Sequence, residues 1–289
     1  MRKFRVKAET LLNDASVLKT GVAFSSQITA QVNPKILSRR DCDDEGLVVH
    51  KPDGSVLFML VPDVIPEQVW RPAYELLRTV SGTLANRPGI VGENLRMPRI
   101  RKDGTASRFN ALPIAITDKL SGKQDMLGYY RSKNPKPGVP KCDLTGWTLR
   151  DPDIYGGIRE FVMAVDEAYR LYLPAEYARQ KAYIDTVPSQ WKIAGTNFTT
   201  LYVLKNHPTA IHTDDFDQEG SFGVMATLGD WEGNEIVWPK FRVGCDYRPG
   251  DLLCGDVHEC HGNLPKLSGE RVSCVFFVRT GMHQCPSNG

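Results

Sequence analysis

The 289-residue sequence predicts an α+β fold in which helices buttress an antiparallel β-barrel or jelly roll. Two observations carry that expectation. Helical periodicity is concentrated in the first two thirds of the chain, whereas from Thr199 onward the pattern changes to short apolar runs divided by turn residues. Those runs are "TTLYVL", "TAIHTD", "FGVMATL", "NEIVWP", "DLLCGD" and "RVSCVFFV". Strands at this spacing suit a sandwich or barrel, and they place a β core over residues 199–280 of a single 1–289 domain.

Elements before that core follow from their own patterns. In "GLVVHKPDGSVLFMLVPDVIP", apolar runs flank Pro52, Asp53 and Gly54, which predicts two strands joined by a tight turn. After Pro66, Val69, Ala73, Leu76 and Leu77 fall on one helical face. Residues 85–148 are rich in Gly, Pro and charge, with one apolar strand candidate at "ALPIAIT", and are expected to form a loop-rich insertion. Next, Ile158, Phe161, Val162, Val165, Ala168, Tyr169 and Tyr172 recur at helical spacing as far as Pro174, predicting one long helix and a shorter one after it.

Bulk properties exclude several classes. With 41% hydrophobic and 24% charged residues, the composition is that of an ordinary globular protein, neither disordered nor fibrous. No apolar stretch approaches the ~20 residues that span a bilayer, so no membrane partner is expected. The start "MRKFRVKAETLLND" lacks the apolar segment of a secretory signal, so the expected location is cytoplasmic or nuclear rather than secreted. Seven cysteines, an odd number at irregular spacing, predict free thiols rather than disulfides, and the absence of a Cys-x-x-Cys pair removes the usual structural zinc frameworks. Net charge is only +2, yet Arg96 to Lys141 holds eleven basic residues against three acidic ones, the footprint expected of a polyanion-binding stretch.

The chemistry concentrates in the last third. His212 and Asp214 stand at i and i+2, which on a strand puts both side chains on one face. A third ligand is offered by His258 or His261. Two histidines and one carboxylate, without a thiolate, match the facial set that leaves positions of an iron(II) ion open. Farther on, Arg271 and Ser273 lie on one face of an apolar strand. A buried guanidinium there needs an anion, and its fork fits a carboxylate such as the distal group of 2-oxoglutarate.

Other polar residues invite plainer readings. Asp215, Asp217 and Glu219 are expected in a solvated turn, His207 at the surface, and His283 in a frayed tail. Arg279 has even spacing from Arg271 and would face the same side, as a substrate contact or a salt bridge at the barrel mouth. Trp231 and Trp238 are expected in the core or at its rim.

The order His-x-Asp, His and then Arg-x-Ser ten residues later resembles the iron(II)/2-oxoglutarate dioxygenases with a double-stranded β-helix (jelly-roll) core. That resemblance implies His212, Asp214 and His261 as iron ligands, favouring His261 over His258 by its distance to the arginine, with Arg271 and Ser273 on the co-substrate. A narrower resemblance to the TET/JBP branch extends over "VLKNHPTAIHTDDFDQEGSFGVMATLGDWEGNEIVWPKFRVGCDYRPGDLLCGDVHECHGN" and, upstream, "TASRFNALPIAITDKLSGKQDMLGYYR". It implies oxidation of the 5-methyl group of a pyrimidine, 5-methylcytosine or thymine, in nucleic acid, with DNA the expected form. Required with it are Fe(II), 2-oxoglutarate and O2. The target base would be flipped out of the duplex, with Arg108, Asn110 and Arg279 as substrate contacts and the basic stretch on phosphates. The enzyme is expected to be a monomer. Hydroxylation of a protein side chain or a small molecule is the alternative function.

Overall fold

A computed structural model describes residues 1–7, 33–81, 123–132, 141–209, 211–214 and 217–287. Thirteen strands occur among these residues. In chain order they are β1 (Arg2–Arg5), β2 (Lys35–Leu37), β3 (Leu47–His50), β4 (Val56–Val61), β5 (Lys123–Arg131), β6 (Cys142–Leu144) and β7 (Thr200–Lys205). The remainder are β8 (Gly223–Gly233), β9 (Ile236–Trp238), β10 (Val243–Cys245), β11 (Leu252–Gly255), β12 (Gly262–Asn263) and β13 (Lys266–Phe277). Helices are α1 (Glu67–Leu77), α2 (Gly146–Arg150), α3 (Pro152–Gly157), α4 (Arg159–Tyr172) and α5 (Pro174–Ile184).

These strands make two sheets. The larger has the order β1-β3-β4-β11-β8-β13-β7-β5-β6 and the smaller β12-β9-β10-β2. Pairing is antiparallel except where β1 meets β3 and β2 meets β10. One apolar cluster, with Phe58, Leu60, Met225 and Leu253 from the large sheet and Leu37, Trp238 and Val243 from the small one, fills the space between them. Trp238 stacks on Phe58 with centroids 4.8 Å apart, a core role as expected.

The opposite face of the large sheet is covered by helices. Phe161, Val165 and Tyr169 of α4 pack with Val224 and Ala226 of β8 and with Val272, Cys274 and Phe276 of β13. Burial on both faces explains why "RVSCVFF" is almost continuously apolar rather than alternating. Arg271 and Ser273 are the exceptions in that seven-residue stretch, and period-two geometry turns them away from the helices toward the inter-sheet side.

The hairpin expected around Pro52–Gly54 is present, β3 pairing with β4. It does not stand apart from the β core: β4 pairs with β11, so the hairpin extends the same sheet. The long helix expected before Pro174 is interrupted at Ile158, which separates α3 from α4. Part of the 85–148 segment is also more regular than its composition suggests. Lys123–Arg131 is a strand paired along β7, its apolar positions hidden among charged neighbours. The candidate strand at "ALPIAIT" lies outside the described residues.

One expectation about cysteine is corrected. Cys142 and Cys285 form a disulfide across a sequence separation of 143 residues, while Cys42, Cys245, Cys254, Cys260 and Cys274 are free. An odd total conceals a single long-range pair, because only the fold brings β6 beside the C-terminal segment. There the bond joins an apolar cluster with Ile184, Val187, Val278 and Met282.

Gly229 shows how tightly β8 meets β13 at the arginine. It is the register partner of Arg271, has φ +106°, and a Cβ there would lie 2.3 Å from the Glu270 carbonyl oxygen. A Gly229→Ala substitution is therefore expected to destabilise the protein by about 1–3 kcal/mol, measurable as a lowered denaturation midpoint with an unchanged denaturant slope.

Candidate metal centre and co-substrate cavity

The His-x-Asp segment is held in place by the loop that carries the third ligand. His212 and His261 form a single antiparallel bridge, with main-chain N–H to carbonyl distances of 2.8 and 2.9 Å in the two directions. Two residues on, the Asp214 amide donates to the Val257 carbonyl at 3.0 Å. The segment is thus extended, as the same-face argument requires, although it is an isolated bridge rather than a full strand.

This pairing brings three donor side chains together. Potential ligand atoms of His212, Asp214 and His261 all lie within 4.8 Å of one another. Asp214 reaches both rings, with Oδ1 3.4 Å from His212 Nε2 and Oδ2 3.7 Å from His261 Nε2. The His261 ring is buried, and its Nδ1 lies 3.0 Å from the Glu259 carbonyl oxygen. That hydrogen bond places the proton on Nδ1 and leaves the Nε2 lone pair for a metal. Burial, followed by the neighbouring His212, lowers the His261 pKa to about 4, so at neutral pH the ring is in the uncharged form that can ligate. The alternative ligand, His258, turns elsewhere: its Nδ1 lies 3.5 Å from Asp256 Oδ1, and the Asp256 hydrogen bond raises its pKa. The donor group therefore contains His261 and not His258.

Beside these donors lies a buried cation. Arg271 is 2% exposed, and its guanidinium sits over the rings of Trp231 at 5.3 Å and Tyr247 at 5.1 Å. No carboxylate pairs with it among the described residues, and its Nε has no hydrogen-bond partner. Two aromatic faces soften the charge without neutralising it. Arg271, Ser273 and the three donors line one cavity, together with Tyr202, His207 and Tyr247. The residues present thus fit a divalent metal ion with open positions and, next to it, an anion that a guanidinium can fork.

Residues missed or misplaced by sequence reasoning are instructive. His207, expected at the surface, is buried and lines the cavity together with Thr209. Tyr247 carried no signal in the sequence beyond a position close to a turn. Asp217, expected in a solvated turn, is buried and bridges Arg279 through the main chain. Arg279 does not follow the parity of β13, since the strand ends at Phe277. Its amide donates to Thr199 Oγ1 at 3.0 Å, and it lines a second cavity with Asp125, Met126 and Arg150 rather than the one that holds Arg271. His283 contacts Tyr183 and not the donor cluster. Arg108, Asn110 and most of the basic stretch lie outside the described residues.

Residues 126–280 match the Tet_JBP family, the oxygenase domain of the 2OGFeDO superfamily. The chain belongs to this family. Membership accords with the donor set, since the superfamily implies Fe(II), 2-oxoglutarate and O2. Among curated relatives, the bifunctional helicase and thymine dioxygenase JBP2 of Leishmania tarentolae is 30% identical over 233 residues, which cover 78% of this chain and 18% of the relative. Thymine dioxygenase JBP1 of Crithidia fasciculata is 28% identical over 232 residues, covering 73% of this chain and 28% of its own length. This Tet_JBP chain thus spans less than a third of either relative. Among solved structures, NgTET1 in complex with 5mC DNA superposes with a TM-score of 0.57 at 15% identity, over 96% of this chain and 94% of that one. This likeness shows a shared fold.

Removing any one donor should abolish tight metal binding. His212→Ala, Asp214→Ala and His261→Ala are each expected to weaken Co(II) affinity by more than about 100-fold, whereas His258→Ala should leave it near the wild-type value. Titration of metal-free protein followed by visible absorption distinguishes the two histidines.

Proposed function

We propose that this chain is an Fe(II)/2-oxoglutarate-dependent dioxygenase that oxidises the 5-methyl group of a pyrimidine, 5-methylcytosine or thymine, in DNA. The observation that carries the reading is the juxtaposition of the His212–Asp214–His261 donor cluster with a buried arginine that has no carboxylate partner among the described residues. A metal centre alone is common to many hydrolases. A metal centre sharing its cavity with an unneutralised guanidinium calls for an anionic co-substrate.

When bound, iron, 2-oxoglutarate and O2 together supply the oxidising power that places an oxygen atom on the substrate methyl, with the co-substrate leaving as succinate and CO2. The chain's own groups do the holding and orienting. His212, Asp214 and His261 would hold the metal on one side, leaving the other open. Arg271 would fork the distal carboxylate of 2-oxoglutarate, with the Ser273 hydroxyl donating a further hydrogen bond. Tyr202 and Val275 also line this cavity and would help keep bulk water from it.

DNA is favoured as substrate by the relatives, which are thymine dioxygenases, and by the 5mC DNA in the NgTET1 complex. The basic excess between Arg96 and Lys141 suits phosphate contacts. Within it, Arg108 and Asn110 are the proposed readers of a flipped base, with Arg279 a further substrate contact. A monomer is the proposed working form. No helix among the described residues is long and apolar enough to cross a membrane.

Incubation with Fe(II), ascorbate and 2-oxoglutarate on three DNAs tests the reading: thymine-containing, 5-methylcytosine-containing, and one lacking both. Nucleoside mass spectrometry should show a 2-oxoglutarate-dependent gain of one oxygen on a methylated base. Succinate formation without any new nucleoside would retain the dioxygenase and reject DNA as its substrate.

A further inference from the structure

The loop between β11 and β12 carries His261, and its acidic side chains are gripped from two directions. Lys51, at the turn of the β3–β4 hairpin, places Nζ 2.8 Å from Asp256 Oδ2 and 3.6 Å from Glu259 Oε1. Lys240, just after β9 in the smaller sheet, places Nζ 3.0 Å from Glu259 Oε2. One carboxylate is thus held by two ammonium groups, each from a different sheet. The loop's main chain is tied as well: the Asp256 amide donates to the Leu57 carbonyl at 2.8 Å, and Trp238 Nε1 donates to the Asp256 carbonyl at 3.0 Å.

The gripped residues are the ones that aim the histidines. Glu259 supplies the carbonyl that accepts from His261 Nδ1 at 3.0 Å. Asp256 uses Oδ2 on Lys51 and Oδ1 on His258, accepting the His258 amide at 3.1 Å and facing its ring at 3.5 Å. A single four-residue loop segment therefore has one histidine drawn to Asp256 and the other directed to the donor cluster.

We propose that Lys51 and Lys240 are positioning residues for the metal ligand: by clamping Asp256 and Glu259 they orient His261 toward the cluster and keep His258 out of it. This rests on the reading of His212, Asp214 and His261 as a metal centre. Magnitudes separate the role from general stabilisation. Partly exposed ion pairs contribute about 0–1 kcal/mol each to folding, whereas loss of groups that orient a metal ligand costs about 10–100-fold in metal affinity. The clamp should accordingly matter much more to the metal than to the fold.

The test uses the full chain, with Co(II) as the probe, in wild type, Lys51→Met/Lys240→Met, Lys240→Met and Lys240→Arg. Affinity is read from the visible absorption of bound Co(II), and the Tm of each metal-free protein is measured alongside. The double variant is expected to bind Co(II) about 10–100-fold more weakly, with its Tm lowered by no more than about 10 °C, the loss of its ion pairs at up to about 1 kcal/mol each. Lys240→Arg should recover the affinity lost in Lys240→Met. Unchanged Co(II) affinity in the double variant overturns the proposal, as does an affinity that falls only in step with Tm and is not recovered by arginine. Failure of the wild-type protein itself to bind Co(II) overturns instead the metal-centre reading beneath it.

Discussion

A guanidinium buried in the interior of a β-sandwich is the constraint on which the rest of the site depends. Leaving a charge unpaired in such a place costs several kcal/mol, yet Arg271 is 2% exposed on a central strand and has no carboxylate partner among the described residues. The surroundings reduce that cost in part. Trp231 and Tyr247 turn their ring faces to the cation, and Gly229 lets the neighbouring strand close beside it. None of the described residues supplies the carboxylate that would complete the compensation. Under the proposed function, that charge is kept in the core for the carboxylate of a co-substrate.

The His212–Asp214–His261 cluster meets this cation only because distant parts of the chain converge. His212 and Asp214 lie on an extended segment with no sheet of its own, paired to the His261 loop. That loop is anchored through Asp256 and Glu259 to lysines from the β3–β4 hairpin and the smaller sheet. Arg271 comes from β13, whose other face is fixed by α4. Helices, both sheets and the hairpin therefore each hold one component of the cavity, although none of the helices among the described residues contributes a donor atom to it.

Much of this was legible in the sequence where the signal is local. His212 and Asp214 declare a shared face through i, i+2 spacing, and Arg271 with Ser273 stand out as polar residues within an apolar strand. The β3–β4 hairpin and α1 follow from turn chemistry and periodicity. What escaped is non-local. Cys142 and Cys285 are 143 residues apart and pair only because the fold joins β6 to the C-terminal segment. His207 looks like a surface residue in the sequence, yet it lines the cavity beside His212 and Asp214. Arg279 seemed to share the face of Arg271 because parity along a strand was extended past the end of that strand. The Lys123–Arg131 strand was hidden in a charged segment because its burial is dictated by β7 rather than by its own alternation.

We propose that Arg271 is buried for the sake of an exogenous carboxylate. It is tested most directly by calorimetric titration of 2-oxoglutarate into Co(II)-loaded wild type and Arg271→Met, with Tm measured in the absence of 2-oxoglutarate. Exchange of a buried unpaired cation for an apolar side chain of similar length is neutral or stabilising. The variant is therefore expected to show an undiminished Tm together with loss of 2-oxoglutarate binding by at least about 100-fold, on the order of the 3–5 kcal/mol cost of breaking a buried ion pair. Equal 2-oxoglutarate affinity in the two proteins would contradict it.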